Sequence, residues 1–366
     1  MANSRYVPSG AKIKVIGLGG AGCNAISRMV REQLHGVELI AMNTDAQALE
    51  LTEAMQRVQL GPKLTGGLGA GGDHTIGRKA AEESKDAIQE ALNGADMIFL
   101  TAGMGGGTGT GCIPVAAEIA KHTGALTIGV VTQPFNFEGT HRAITAEDGI
   151  RDLMPNVDTL IIIPNDRLLT LCDQKTSINN AFQLADEVLH HGVQAIAEVI
   201  TVPGLINLDF ADIRTIMKDA GPAWMSIGRG TGQNRAVDAA KEALASPLQD
   251  VSLAGAKGVL FNIAGANTLT LYEVNNAAEV IRQAVDPGAN VIFGVVDDPR
   301  LGNDIRLTLI ATGFATKEMM ANSSKEKEMD RLLRGIQDDE LDLPSFLRQH
   351  AVYQSKSAGT MKKVYN

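Results

Sequence analysis

Between Gly103 and Gly111 the stretch AGMGGGTGTGCIP places six glycines in nine positions, after the apolar run ADMIFLT and before a run with helical spacing. Glycines at neighbouring positions let successive amides converge on phosphate oxygens without Cβ obstruction, and a helix N-terminus adds positive partial charge. Thr108 and Thr110 can add hydroxyls. A second loop, GLGGAGCN at 17–24, also follows a β-rich run and opens a helical one, with the same consequence for anions. A third, TGGLGAGGDHTIGRK at 65–79, approaches the lysine-type phosphate loop over Gly72 to Gly77. There Arg78 stands where lysine is required and Lys79 replaces the Ser/Thr, so the match is rejected. Three glycine loops without a lysine loop predict a triphosphate held mainly by backbone dipoles. A dinucleotide fold is the rival reading of 17–24, but the second strand ends in Asn43-Thr44-Asp45, an inexact match to the acidic residue that reads a ribose. That fold also leaves the second glycine loop without a role.

Hydrolysis of a triphosphate needs a group to orient water, and the glycine loops supply none. In NLDFAD, Asp209 and Asp212 sit three apart at the start of a helical run, which puts both carboxylates on one face. The competing reading is helix capping by Asp209 beside a solvated Asp212. His190-His191 has no metal-ligand spacing around it and reads as a solvent-facing pair. Trp224 in GPAWMSIG reads as core. The three cysteines, Cys23, Cys112 and Cys172, form no C-x-x-C pair and read as small buried thiols of a reducing compartment.

These residues must be positioned by an alternating framework. KIKVIGLGG, VELIAMNTD, ADMIFLTAG, ALTIGVVTQPF and VDTLIIIPNDRL are β-rich runs separated by amphipathic helical stretches, the pattern of βαβ units in a parallel sheet. The unusual loops at 17–24, 43–47, 102–111, 132–142 and 164–167 all fall at strand ends, where open α/β sheets bind ligands. One site built by many loops is the simplest account. Residues 176–202 carry apolar positions at helical spacing with no proline, predicting a long central helix. A second α/β segment follows, with strands expected near 222–228, 256–264, 289–296 and 304–312 and helices near 233–244 and 270–284.

The division expected is a Rossmann-like parallel-sheet domain over 1–175, the helix over 176–202, and a smaller α/β domain carrying Asp209 and Asp212 over 203–316. A mixed-charge linker occupies 317–340, an apolar peptide, LDLPSFLRQ, 341–349, and a basic acid-free tail 350–366. The chain of 366 residues carries a formal net charge of -9, which argues against nucleic acid or an anionic membrane as a partner of the body. The N-terminus lacks a signal-peptide pattern and no apolar run is long enough for a membrane span, so a cytosolic location is expected.

The run GGGTGTG at 105–111 resembles the signature of the tubulin/FtsZ superfamily. The motifs GGAGCN, NTDAQAL, GLGAGG, AGMGGGTGTG, PFNFEGTHR, PNDRLL, AFQLADEVL, PGLINLDFADIRTIM, LYEVNNAAEVI and IATGF are similar, in order and spacing across about residues 12–314, to those of its bacterial cell-division family. The resemblance implies a tubulin-like fold and a GTPase that polymerises head to tail into the filaments of a cytokinetic ring. It implies that Gly20, Ala21, Gly22, Cys23 and Asn24 form the first nucleotide loop, with Asn43 and Pro134 in the nucleotide-binding set. Ala70 and Gly71 would approach the γ-phosphate, while Gly105, Gly106, Gly107, Thr108, Gly109 and Thr110 would cradle the α- and β-phosphates. Glu138 would bind ribose and Arg142 would reach the phosphates. Asn165 and Asp186 would read ribose and the guanine edge, with Phe182 against the ring.

Chemistry agrees with the guanine assignment, because a carboxylate accepts from the N1–H and N2–H₂ donors that adenine does not present. Glu187 competes with Asp186 for that role. The resemblance further implies that Asp209 and Asp212 enter the pocket of the next subunit, that Mg²⁺ neutralises the phosphates, and that no protein-built metal site is needed. Leu341 to Arg348 would bind membrane-tethering and regulatory division proteins at the division site. Three departures stand out: Thr140-His141 replaces basic residues of many relatives, the linker is short, and 349–366 extends beyond the usual terminal peptide. The alternatives are a paralogue that assembles as a scaffold with slow turnover, and an NAD-dependent oxidoreductase suggested by GLGGAG alone.

Overall fold

The computed structural model describes residues 10–169, 177–201, 208–245, 255–266 and 268–314. The N-terminal part alternates β1 (Ile13–Leu18), α1 (Gly19–Arg31), β2 (Val37–Asn43), α2 (Ala46–Leu51) and β3 (Gln56–Gln59). Three helices follow, α3 (Pro62–Thr65), α4 (His74–Glu83) and α5 (Lys85–Leu92), then β4 (Met97–Gly103), α6 (Gly107–His122), β5 (Leu126–Gln133), α7 (Thr140–Leu153), β6 (Thr159–Pro164) and α8 (Asn165–Leu168). The long helix α9 (Ile178–Thr201) leads to α10 (Phe210–Met217). Beyond it come β7 (Gly221–Gly230), α11 (Arg235–Ala245), β8 (Gly258–Gly265), α12 (Leu271–Ala284), β9 (Asn290–Asp297) and β10 (Ile305–Thr312).

All ten strands join one sheet in the order β3-β2-β1-β4-β5-β6-β7-β10-β8-β9. Every pairing is parallel except the two made by β10, which runs antiparallel between β7 and β8. Strands buried on both faces need apolar residues throughout rather than alternation, and IKVIGL of β1 meets that requirement except at Lys14, which is partly buried and reaches Glu38 at 3.2 Å. Its residues divide between two cores: Val15 packs with Ile26, Met29, Val193 and Ile196 of α1 and α9, while Ile16 packs with Ile113 and Ala117 of α6. A third core fills the far part, where Trp224, Phe261 and Leu307 meet α11 and α12. Trp224 is therefore core, as expected, and Cys23 and Cys112 are buried thiols. Cys172 lies outside the described residues.

The histidine pair departs from expectation. His190 is fully buried and His191 nearly so, with α9 covered by α1 on one side and by sheet strands on others. His190 Nε2 faces Oε2 of Glu32, the residue that caps the C-terminus of α1, at 3.1 Å. A local helical wheel makes these positions polar and hence solvated, but a central helix has more than one covered side and its polar stripe is enclosed.

Parallel order reverses between β1 and β4: the chain moves outward from β1 to β2 and β3, then returns to place β4 on the other side. Such a switch point leaves a crevice outside the carboxyl ends of the two strands. The helices that open there, α1 and α6, therefore start at its rim.

Candidate functional site

Both rim helices begin without a side-chain cap and with no acid in their first turn. Their orphan amides and the positive ends of their dipoles are thus left for something outside the helix. Gly19 opens α1 at a φ of 71°, a conformation that favours glycine, and a Cβ there would stand 2.8 Å from the amide nitrogen of Gly109. The two glycine loops are therefore packed backbone to backbone. Between them lies a cavity of about 260 Å³. Gly20 and Ala21 of α1 line one side; Gly106, Gly107, Thr108 and Gly109 line the other.

The remaining wall comes from later strand ends. Pro134, Glu138 and Arg142 follow β5, Asn165 opens α8, and Phe182 and Asp186 project from α9. Gly103, the first glycine of the 103–111 loop, also lines the cavity, as do four residues that sequence reasoning did not single out: Leu18, Met104, Thr132 and Ala185. Three of the four sit at or beside strand ends already marked by unusual loops; Ala185, one residue before Asp186, was legible only as part of α9.

Other expected residues stand back from the cavity. Gly22 and Cys23 lie on the buried face of α1, with burial pushing the Cys23 thiol up to about 11, while Asn24 is exposed. Asn43 is buried and its Oδ1 accepts from the Asp45 amide at 3.3 Å. Thr110 turns inward, its hydroxyl accepting from the Gly105 amide at 2.8 Å, so both residues brace the loop. Ala70 is buried and packs under Gly107, and Gly71 stands open beside it in left-handed backbone at a φ of 59°.

The charged and polar wall residues have distinct partners. Glu138 accepts from the Phe135 amide at 2.9 Å through one carboxylate oxygen, and from Arg142 through the other. Arg142, the cation of the lining, is thereby held one helical turn away by a carboxylate while still reaching solvent. Asn165 is buried and its Oδ1 has no hydrogen-bond partner. A buried acceptor left unpaired is costly, which marks this atom as a candidate ligand contact. Burial pushes the Asp186 carboxyl up to about 7, against the pull of the Arg28 guanidinium. Glu187 turns elsewhere, to Arg28 at 3.7 Å and Arg229 at 4.0 Å. Phe182, half-exposed, meets Phe135 edge-on at 5.5 Å, and Phe135 stacks on Phe137 at 4.9 Å.

Asp209 and Asp212 do not line the cavity. Asp209 occupies the N-cap position of α10 but makes no side-chain cap bond, and both carboxylates are exposed. The capping alternative therefore lacks its hydrogen bond. Among the described residues no group of three His, Cys, Asp or Glu side chains forms a metal cage, and no helix is long and apolar enough to cross a membrane.

A family model described as the Tubulin/FtsZ family GTPase domain matches residues 12–173, and one described as the FtsZ family C-terminal domain matches residues 221–315. Among solved structures, the chain is similar to FtsZ of M. jannaschii in an empty dimer: 45% identity over 83% of this chain and 88% of that one, with a TM-score of 0.81. CetZ2 from Haloferax volcanii, solved as a GTPγS-bound protofilament, is similar in fold at 21% identity, with 90% and 99% coverage and a TM-score of 0.71. The chain belongs to the FtsZ family of tubulin-like, GTP-binding cell-division GTPases.

Proposed function

We propose that the cavity at the β1/β4 switch point holds GTP and that hydrolysis is completed by Asp209 and Asp212 of the next protomer in a head-to-tail filament. The observation that carries this reading is a separation. Among the described residues the cavity has amides, the cation Arg142, the orphan acceptor of Asn165 and the half-buried Asp186, while Glu138 is engaged by Arg142; the exposed acids Asp209 and Asp212 stand elsewhere on the surface.

Amides at the starts of α1 and α6, with Gly105 to Thr110 as their loop, hold the α- and β-phosphates, and Ala70 and Gly71 close on the γ-phosphate side. Arg142 supplies positive charge. Asp186 accepts from the guanine N1–H and N2–H₂ pair, Asn165 Oδ1 takes a base or ribose donor, Glu138 meets the ribose, and Phe182 covers the ring. Gly22, Cys23, Asn24, Asn43 and Pro134 support the same nucleotide loops. Mg²⁺ would be held through the bound triphosphate rather than by a protein-built cage, and would supply positive charge to the phosphates alongside Arg142.

A carboxylate in line with the γ-phosphate orients the attacking water, and an exposed acid can do this only from outside its own cavity. Hydrolysis then requires contact between protomers, which couples turnover to assembly into a cytokinetic filament. The segment Leu341 to Arg348, outside the described residues, is the proposed attachment for membrane-tethering and regulatory partners at the division site. The test is Asp212→Ala. It should bind GTP within about twofold of the parent and lose hydrolysis by about a hundredfold or more, the usual effect of removing a positioned base. A variant that hydrolyses normally contradicts the assignment.

A further inference from the structure

Thr44 follows β2, is fully buried and does not line the cavity. Its hydroxyl lies 2.6 Å from the hydroxyl of Thr108, which does line it. That distance is a good O–H···O hydrogen bond. Among the described residues Thr108 Oγ1 is the sole hydrogen-bond partner of Thr44 Oγ1. The direction of the bond follows from counting protons. If Thr108 donated to Thr44, the Thr44 proton would be buried with no acceptor; if Thr44 donates, both hydroxyls are satisfied once Thr108 finds an acceptor in the cavity. The Thr44 carbonyl lies 3.3 Å from the Thr65 hydroxyl, whose single proton is shared with the nearer Gly61 carbonyl at 3.0 Å.

We propose that Thr44 is a positioning residue that donates to Thr108 and so turns the Thr108 O–H into a committed donor toward a nucleotide phosphate oxygen. This rests on the reading of the cavity as a GTP site. Accepting a hydrogen bond also strengthens the Thr108 hydroxyl as a donor, because linked bonds polarise one another. Nothing in the arrangement involves the base, so the contribution belongs to the phosphates alone.

The experiment measures equilibrium binding of GTP, GDP and guanosine to the full chain for the parent, Thr44→Val, Thr44→Ser, Thr108→Val and the double variant Thr44→Val/Thr108→Val. Thr44→Val keeps the shape and removes the donor; it should weaken GTP and GDP about five- to tenfold and leave guanosine within twofold. Thr44→Ser, which keeps the hydroxyl, should bind like the parent. The double variant should be no weaker than Thr108→Val, because the effect of Thr44 passes through Thr108. Unchanged GTP binding in Thr44→Val overturns the proposal, as does equal loss for guanosine or a double variant showing the sum of both losses. A parent that fails to bind GTP instead overturns the reading of the cavity itself.

Discussion

Phe182 and Asp186 stand one helical turn apart on α9, and both line the cavity opened by the two glycine loops. One side chain offers a ring face and the other a hydrogen-bonding edge, so under the proposed reading a single helix would fix two coordinates of a planar base. The same helix carries Glu187 away toward Arg28 and Arg229. The choice between neighbouring carboxylates is made by helical phase.

Asp186 is held at a cost that can be measured. Burial raises its carboxyl from 3.8 to about 7. With the folded value above the unfolded one, its contribution to stability is fully present below pH 3.8 and is lost as pH rises through about 7. Asp186→Asn should therefore stabilise the nucleotide-free protein at pH 8 by roughly 2 to 4 kcal/mol, allowing for partial solvent exposure, while weakening GTP binding. In the parent, GTP affinity should fall as pH drops below 7, toward tenfold per unit, because protonation replaces an acceptor with a donor. Denaturant titrations and binding from pH 5.5 to 8 check both; flat affinity across that range contradicts the role of Asp186.

The enclosed histidines act with the opposite sign. Desolvation lowers His190 from 6.5 to about 4, with Glu32 opposing and Arg306 and Arg28 reinforcing; desolvation likewise lowers His191 to about 2, with Arg306, His190, Arg229 and Arg28 adding. Stability from these groups is present above pH 6.5 and is lost as pH falls through the window down to about 4, because the unfolded chain takes up protons first. Between pH 7 and 5 the parent should lose roughly 2 kcal/mol more than His190→Gln, read from denaturant midpoints. Equal losses would place His190 in solvent.

The phosphate loop depends on a close helix crossing. A Cβ on Gly77 of α4 would stand 2.2 Å from the carbonyl oxygen of Gly107, and one on Gly111 of α6 would stand 2.1 Å from that of His74. Backbone atoms cannot give way as flexible side chains do. Gly77→Ala should destabilise the protein by about 2 kcal/mol or more and, by shifting Gly107, weaken GTP binding at least fivefold. Thermal unfolding and nucleotide titration on one preparation check the two effects together.

Much of this arrangement is legible in the chain because local rules carry it. Mostly apolar runs such as IKVIGL and MIFLTAG, broken only by Lys14 and Thr101, mark central parallel strands, and glycine loops directly after them mark the crevice. The far strands and helices also fall within a few residues of their expected places, from β7 at Gly221–Gly230 to β10 at Ile305–Thr312. Contacts between distant segments are less legible. Nothing local shows that β10 inserts antiparallel between β7 and β8, or that one sheet runs from β3 to β9. The burial of His190, the inward turn of Thr110 and the pairing of Thr44 with Thr108 likewise depend on partners 64 or more residues away or on a loop closing on itself.

The central claim is that one protomer holds GTP while the acids of another complete its hydrolysis. It is tested most directly by GTP turnover per protomer, measured against protein concentration together with sedimentation of polymer. The account predicts negligible turnover below a threshold concentration, rising with polymer above it, and no such rise for Asp212→Ala despite retained GTP binding. Turnover per protomer that is constant across the threshold, with the parent hydrolysing as fast in dilute solution as in polymer, would contradict a site shared between molecules.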